Sequence, residues 1–92
     1  MSIQVKIPPL LRQVAGRSGI VEVDAAHVTE CLNKLKERFP RIKDHLFDEK
    51  GELKFNIIIN VNGKDMRSLS GLQTPVTSGD VVNILLAHPV IS

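Results

Sequence analysis

Ninety-two residues make one domain's worth of chain, enough for a single modest hydrophobic core. Hydrophobic residues at 42% and charged residues at 24% match ordinary globular usage, which excludes a disordered tail and a collagen-like repeat. Twelve Lys+Arg against ten Asp+Glu give +2, too mild a balance to imply nucleic acid by itself. With no Trp or Tyr and three Phe, the stacking surface of a single-strand binder is missing. The longest apolar runs, Ile57–Ile59 and Ile84–Ala87, are too short for a membrane span. No basic and apolar leader opens the chain, so a cytoplasmic protein without membrane contact is expected. One cysteine excludes an internal disulfide, a CxxC metal site and a cysteine-ligated iron–sulfur cluster.

Ile3, Val5 and Ile7 alternate with Gln4 and Lys6, the period of a strand with one buried face. Pro8 and Pro9 end it, since neither can donate to a ladder. Arg12 to Gly19 reads as a loop turning back into Ile20-Val21-Glu22-Val23, which makes a hairpin with a long connection. Val28, Leu32, Leu35 and Phe39 then recur at helical spacing, with Lys34, Lys36, Glu37 and Arg38 on the outer face. Asp24 or Thr29 is expected to cap this helix, and Pro40 ends it. Ile42, Leu46 and Phe47 suit one further helical turn against the core.

Phe55 to Val61 is the strongest predicted strand, followed by the hairpin signal Asn62-Gly63 and a short returning strand over Lys64 to Arg67. Leu69 to Val76 reads as loop with a possible turn of helix. Ser78-Gly79-Asp80 leads into a last strand, Val81 to Leu86. One helix cannot cover both faces of a sheet, so it should lie across one face. The order β-β-α-β-β-β closes naturally with the first and last strands paired in parallel at the centre. The expected fold is α+β, a ubiquitin-like β-grasp with a mixed sheet of four to five strands and one main helix. Residues 1–87 form this domain and residues 88–92 a C-terminal tail.

Catalytic and metal-binding equipment is thin, and no catalytic residue, metal ligand or cofactor is assigned. Cys31 adjoins Leu32 on the apolar side of the helix and reads as a buried, inert thiol. His27 and His45 suit surface or capping roles and lack metal-ligand spacing. Lys34, Lys36, Arg38, Arg41 and Lys43 are interleaved with Glu30, Glu37 and Asp44, as on a solvated helix face; an acidic protein partner is the sharper alternative. If Ile57, Ile59 and Val61 point inward, then Ile58 and Asn60 face out on the uncovered side of the sheet. Leu85 does the same beside Ile84 and Leu86. Two apolar residues on one open face suggest a partner surface.

Four segments in order resemble the MoaD/ThiS-type sulfur carrier proteins, and within them the carriers that serve cysteine biosynthesis. Val5-Lys6-Ile7-Pro8-Pro9-Leu10-Leu11-Arg12 is similar to the strand and "IPxxLR" start. Val61-Asn62-Gly63-Lys64-Asp65-Met66-Arg67 matches the "VNGxxxR" hairpin. Gly71-Leu72, Thr74-Pro75 and Ser78-Gly79-Asp80-Val81-Val82 match "GLxTPLxDGDxV". The resemblance covers about Ile3 to Leu86. It implies a β-grasp that is a carrier rather than an enzyme, acting in sulfur transfer for molybdopterin or cysteine biosynthesis. It implies an E1-like adenylating enzyme or a sulfur-accepting enzyme subunit as partner, and adds Arg12 and Arg67 to the partner surface of Ile58, Asn60 and Leu85. In such carriers a C-terminal Gly-Gly threads a narrow site and its carboxylate becomes an acyl-adenylate, then a thiocarboxylate. Aligned from Gly79-Asp80, those glycines fall on Val90 and Ile91, with Ser92 beyond, and both replacements are β-branched and stiff. The last glycine is Gly79, so trimming exposes no Gly-Gly end. Two readings follow: a sulfur carrier working through this tail and its sheet surface, or a non-conjugating ubiquitin-like binding module. In either, the tail is expected to act as a binding element, with self-association through it possible.

Overall fold

The computed structural model describes residues 2–87. Its strands are β1 (Ser2–Lys6), β2 (Ile20–Asp24), β3 (Ile57–Val61), β4 (Lys64–Asp65) and β5 (Val81–Leu86). The helices are α1 (Val28–Arg38) and the single turn α2 (Lys43–Leu46), with short 3-10 turns at Pro9–Leu11, Pro40–Ile42, Met66–Ser68 and Gly71–Gln73. The strands form one mixed sheet in the order β2-β1-β5-β3-β4. β1 and β5 run parallel at its centre, with Gln4 opposite Val81 and Lys6 opposite Asn83, and every other neighbouring pair is antiparallel. This is the expected α+β β-grasp.

The alternation in the sequence sets which face is buried. Ile3 and Val5 of β1, Val21 and Val23 of β2, Ile57, Ile59 and Val61 of β3, and Val82 and Ile84 of β5 all point into the core. From the other side α1 contributes Val28, Cys31, Leu32 and Leu35, the spacing of one helical stripe. Ile42 and Leu46, brought in after Pro40, are fully buried and extend the core past the end of α1. The one buried polar side chain among the described residues, Thr74, donates from Oγ1 to Gly71 O at 2.7 Å and accepts from Ser70 N at 3.1 Å.

Three boundaries differ from the sequence reading. Neither Asp24 nor Thr29 caps α1. His27 does, its Nδ1 accepting from Glu30 N at 3.2 Å while Glu30 Oε1 accepts from Ala26 N at 2.6 Å. This is a variant of the capping box, with an imidazole in place of a hydroxyl and Glu30 reaching one residue past the cap to the N–H of Ala26. Thr29 instead donates to Leu72 O at 2.7 Å, tying the helix to the loop before β5. The third strand starts at Ile57 rather than Phe55, because Ile57 N closes a turn onto Lys54 O at 3.0 Å. Phe55 is left 96% exposed. The returning strand stops at Asp65, whose carboxylate accepts from Arg67 N at 2.8 Å and turns the chain into the 3-10 turn.

The Asn62-Gly63 hairpin forms as expected, with both residues at positive φ (52° and 88°). Asn62 also clamps the hairpin to β5: its Oδ1 accepts from Val81 N at 2.9 Å, and its Nδ2 donates to Asp80 Oδ1 at 3.1 Å. Leu32→Ala and Ile59→Ala should each lower unfolding free energy by about 2–5 kcal/mol, since both vacate space where helix meets sheet. Chemical denaturation measures this, and losses under about 0.5 kcal/mol would place these side chains at a surface.

Candidate functional site

The face of the sheet turned away from α1 carries the outward-pointing residues of the central strands. Ile58 and Leu85 are directly opposed across β3 and β5, and Asn60 and Asn83 form the next outward pair. Ile58 and Asn60 are half-buried, and Leu85 is 41% exposed. Lys6 flanks Asn83 on β1, and Asp65 flanks Asn60 on β4. The result is a small apolar centre with amides beside it and one charge of each sign on its rim.

Of the five residues expected on the partner surface, the fold brings Ile58, Asn60 and Leu85 together. Arg67 stands just past the β4 edge. It makes a bidentate pair with Asp65, Nη2 donating to Oδ2 at 2.7 Å and Nε to Oδ1 at 3.2 Å. Those hydrogen bonds hold the Asp65 carboxyl below its ordinary pKa. Arg12 lies elsewhere, beyond the C-terminal end of β1, where its Nε donates to Ile7 O at 3.1 Å. Because β1 and β5 are parallel, this is also the end of the sheet at which the chain leaves β5, with Ala87 N donating to Asn56 O at 2.8 Å. The exposed Leu10 and Phe55 belong to this same end, and the sequence singled out neither as a surface residue. Val90, Ile91 and Ser92, and His88 before them, lie outside the described residues.

The helix basic residues are drawn into the fold in separate ways. Arg38 Nη1 donates to Glu22 O at 2.7 Å on the outer edge of β2, and Lys36 Nζ sits 4.4 Å from the centre of the Phe47 ring. Asp80 is held below its usual pKa, first by the Thr77 N–H and then by the Asn62 amide. Cys31 is buried, and that burial pushes its thiol up to about 11. Among the described residues no three His, Cys, Asp or Glu side chains gather as metal ligands, and no helix is long and apolar enough to cross a membrane.

The ThiS family matches residues 5–88, nearly the whole chain. The sulfur carrier protein CysO of Mycobacterium tuberculosis is 30% identical over 89 residues, covering 95% of this chain and 96% of the relative. The fold is also that of the crystal structure of the Amycolatopsis orientalis BexX/CysO complex, at a TM-score of 0.84 and 34% identity, covering 96% of this chain and 98% of the other. SAMP1 from Haloferax volcanii aligns at a TM-score of 0.82 and 28% identity, over 100% of this chain and 99% of that one. The β-grasp described above is therefore a sulfur-carrier fold. The chain belongs to the ThiS family.

Cys31 gives a direct test of whether this protein could carry sulfur on its own thiol. With a pKa near 11, only about one native thiol in a thousand is ionised at pH 8, so a disulfide reagent should react slowly until guanidinium exposes it. The folded value lies above the ordinary 9.0, so the unfolded chain loses its proton first as pH rises. Stability should therefore fall between about pH 9 and pH 11, and Cys31→Ser should abolish that part of the dependence. Fast labelling of the native protein at pH 8 would show the thiol to be accessible.

Proposed function

We propose that this protein is a sulfur carrier that acts through the segment following β5 and the uncovered face of its sheet, rather than an enzyme in its own right. In this reading residues 1–87 are the carrier domain and residues 88–92 its working tail. The family match over residues 5–88 is the observation that carries it, because the likeness runs from within β1 through β5 and up to the start of the tail. A partner protein is supported by the solved BexX/CysO complex, in which a structurally similar carrier is assembled with another protein. The partner class is an E1-like adenylating enzyme or a sulfur-accepting enzyme subunit, and the product is sulfur for cysteine or molybdopterin synthesis.

The chemistry asks for an acyl-adenylate at the end of the tail, formed from ATP with release of pyrophosphate, and then for a sulfide-level sulfur to displace AMP and leave a thiocarboxylate. A thiocarboxylate carrier needs no nucleophile of its own, which fits a chain whose one thiol is buried and protonated. What it must offer is a backbone that can pass a narrow channel and a surface that holds the partner while it does. Val90 and Ile91 stand at the positions aligned with the family's glycines. Their β-branched side chains make native protein a poor substrate for an adenylating enzyme built around Gly-Gly.

Two tests follow. Incubation with a related adenylating enzyme, ATP and sulfide, read by intact mass, should convert native protein slowly. A variant with Val90→Gly, Ile91→Gly and Ser92 deleted should be converted far faster. Equal conversion of both would overturn the role given to the tail, and conversion of neither would overturn the carrier reading. Separately, Ile58→Asp and Leu85→Asp should weaken binding to such an enzyme by about tenfold or more, since a charge at an interface core is costly. They should shift Tm by less than about 4 °C. A collapse of folding would move these side chains into the core.

A further inference from the structure

The loop after β1 and the turn after α1 meet at the end of the sheet where the chain leaves β5. Arg12, Gln13 and Arg17 from the first and Arg41 from the second line an open recess of about 480 Å³. Three guanidiniums thus border one space with no acidic residue in its lining. Among the described residues none of the three is paired with a carboxylate.

One of them is fixed in place. Ile7 N donates to Gly19 O at 2.8 Å at the end of the β1–β2 pairing, and Ile7 O is filled by Arg12 Nε at 3.1 Å. The guanidinium lies flat against Gly19: a Cβ there would meet Arg12 Nε, Cζ and Nη2 at 2.7, 2.8 and 2.9 Å. Gly19 also has φ +82°, so both its backbone and its missing side chain suit this seat. Arg12 has therefore already given up much of the rotamer freedom that binding would otherwise remove.

Like charges that face one recess repel one another, and an anion between them reverses the sign of that interaction. A single carboxylate would leave two of the three charges unmatched. A phosphate group carries more charge and enough oxygens to take several guanidinium forks together. No apolar side chain lines the recess to receive the rest of a peptide, which disfavours an acidic protein segment. We infer that the Arg12–Arg17–Arg41 recess is a binding site for a multiply charged phosphate group. The site does not depend on the tail, although it opens at the same end of the sheet.

The test is a titration of the full chain with inorganic pyrophosphate at low salt, following the arginine Nε–Hε signals by NMR. The signals of Arg12, Arg17 and Arg41 should move together and saturate. Arg17→Gln and Arg41→Gln should each weaken the apparent affinity by about tenfold, as loss of a charge-assisted hydrogen bond does. Gly19→Ala should weaken it too by unseating Arg12; if that variant does not fold, the two glutamine variants decide the matter. ATP binding as tightly as pyrophosphate, with adenosine inert, assigns a site for the phosphate chain alone. Tighter ATP binding assigns a nucleotide's phosphates. The inference is overturned if the shifts never saturate, if sodium chloride of matched ionic strength reproduces them, or if a triglutamate peptide saturates them at lower concentration than pyrophosphate.

Discussion

The parallel pairing of β1 with β5 is the constraint on which the rest of this structure depends. Parallel neighbours cannot be joined by a tight turn, so everything from Ile7 to Asp80 serves as the connection between them. The pair is started by two backbone bonds, Gly79 N to Ser2 O and Gln4 N to Asp80 O, both at 3.1 Å. The Asn62–Asp80 clamp fastens the β3–β4 hairpin to the same point. Once β1 and β5 run side by side, the end of β1 and the end of β5 must open at one edge of the fold. That places the arginine-bearing loop and the departing chain together.

This geometry also decides where a partner can approach. A five-stranded open sheet has two edges, and each is a template for unwanted pairing. On one side β4 is only two residues long and passes at once into a 3-10 turn stapled by the Asp65–Arg67 pair. On the other, Arg38 reaches from α1 to occupy the carbonyl of Glu22 on β2. α1 covers the inner face. Of the sheet itself, the outer face around Ile58 and Leu85 and the strand ends stay uncovered, and both lie beside the exit from β5. A carrier that must hold its partner while its tail is in use benefits from having these surfaces adjoin.

The strands and helix were legible because burial imposes a period. Ile3, Val5 and Ile7 repeat every second residue, and Val28, Leu32 and Leu35 follow the helical step. Asn62-Gly63 announced a turn that needs positive φ. The departures fall where a local hydrogen bond, from backbone or side chain, outweighed the pattern. Phe55 is apolar and continuous with the strand in sequence, yet the turn closing on Lys54 leaves it in solvent. His27 displaced the expected caps because its imidazole nitrogen can accept the same N–H that a serine hydroxyl would. The arginine recess could not have been read from spacing. Its members come from two loops separated by β2 and α1, and only Arg12 stood in a recognisable motif. Ile58, Asn60 and Leu85 were legible because strand parity alone fixes the face on which they lie.

The fold and the sulfur chemistry make separate demands on the sequence. Among the described residues the buried core closes with Ile84, and Leu86 packs against its margin. The last backbone bond at this end among the described residues runs from Ala87 N to Asn56 O. On the proposed carrier reading, the side chains at positions 90 and 91 answer to what the tail meets in a partner. A narrow channel favours glycine because any Cβ must be accommodated by its walls. A binding groove favours branched apolar residues, since burying each adds about 1.5–3 kcal/mol of transfer free energy and their stiffness reduces the entropy lost. On that reading the pair Val90-Ile91 suits a partner whose tail site is wider and more apolar than one shaped for Gly-Gly, on a domain that otherwise keeps the carrier architecture intact.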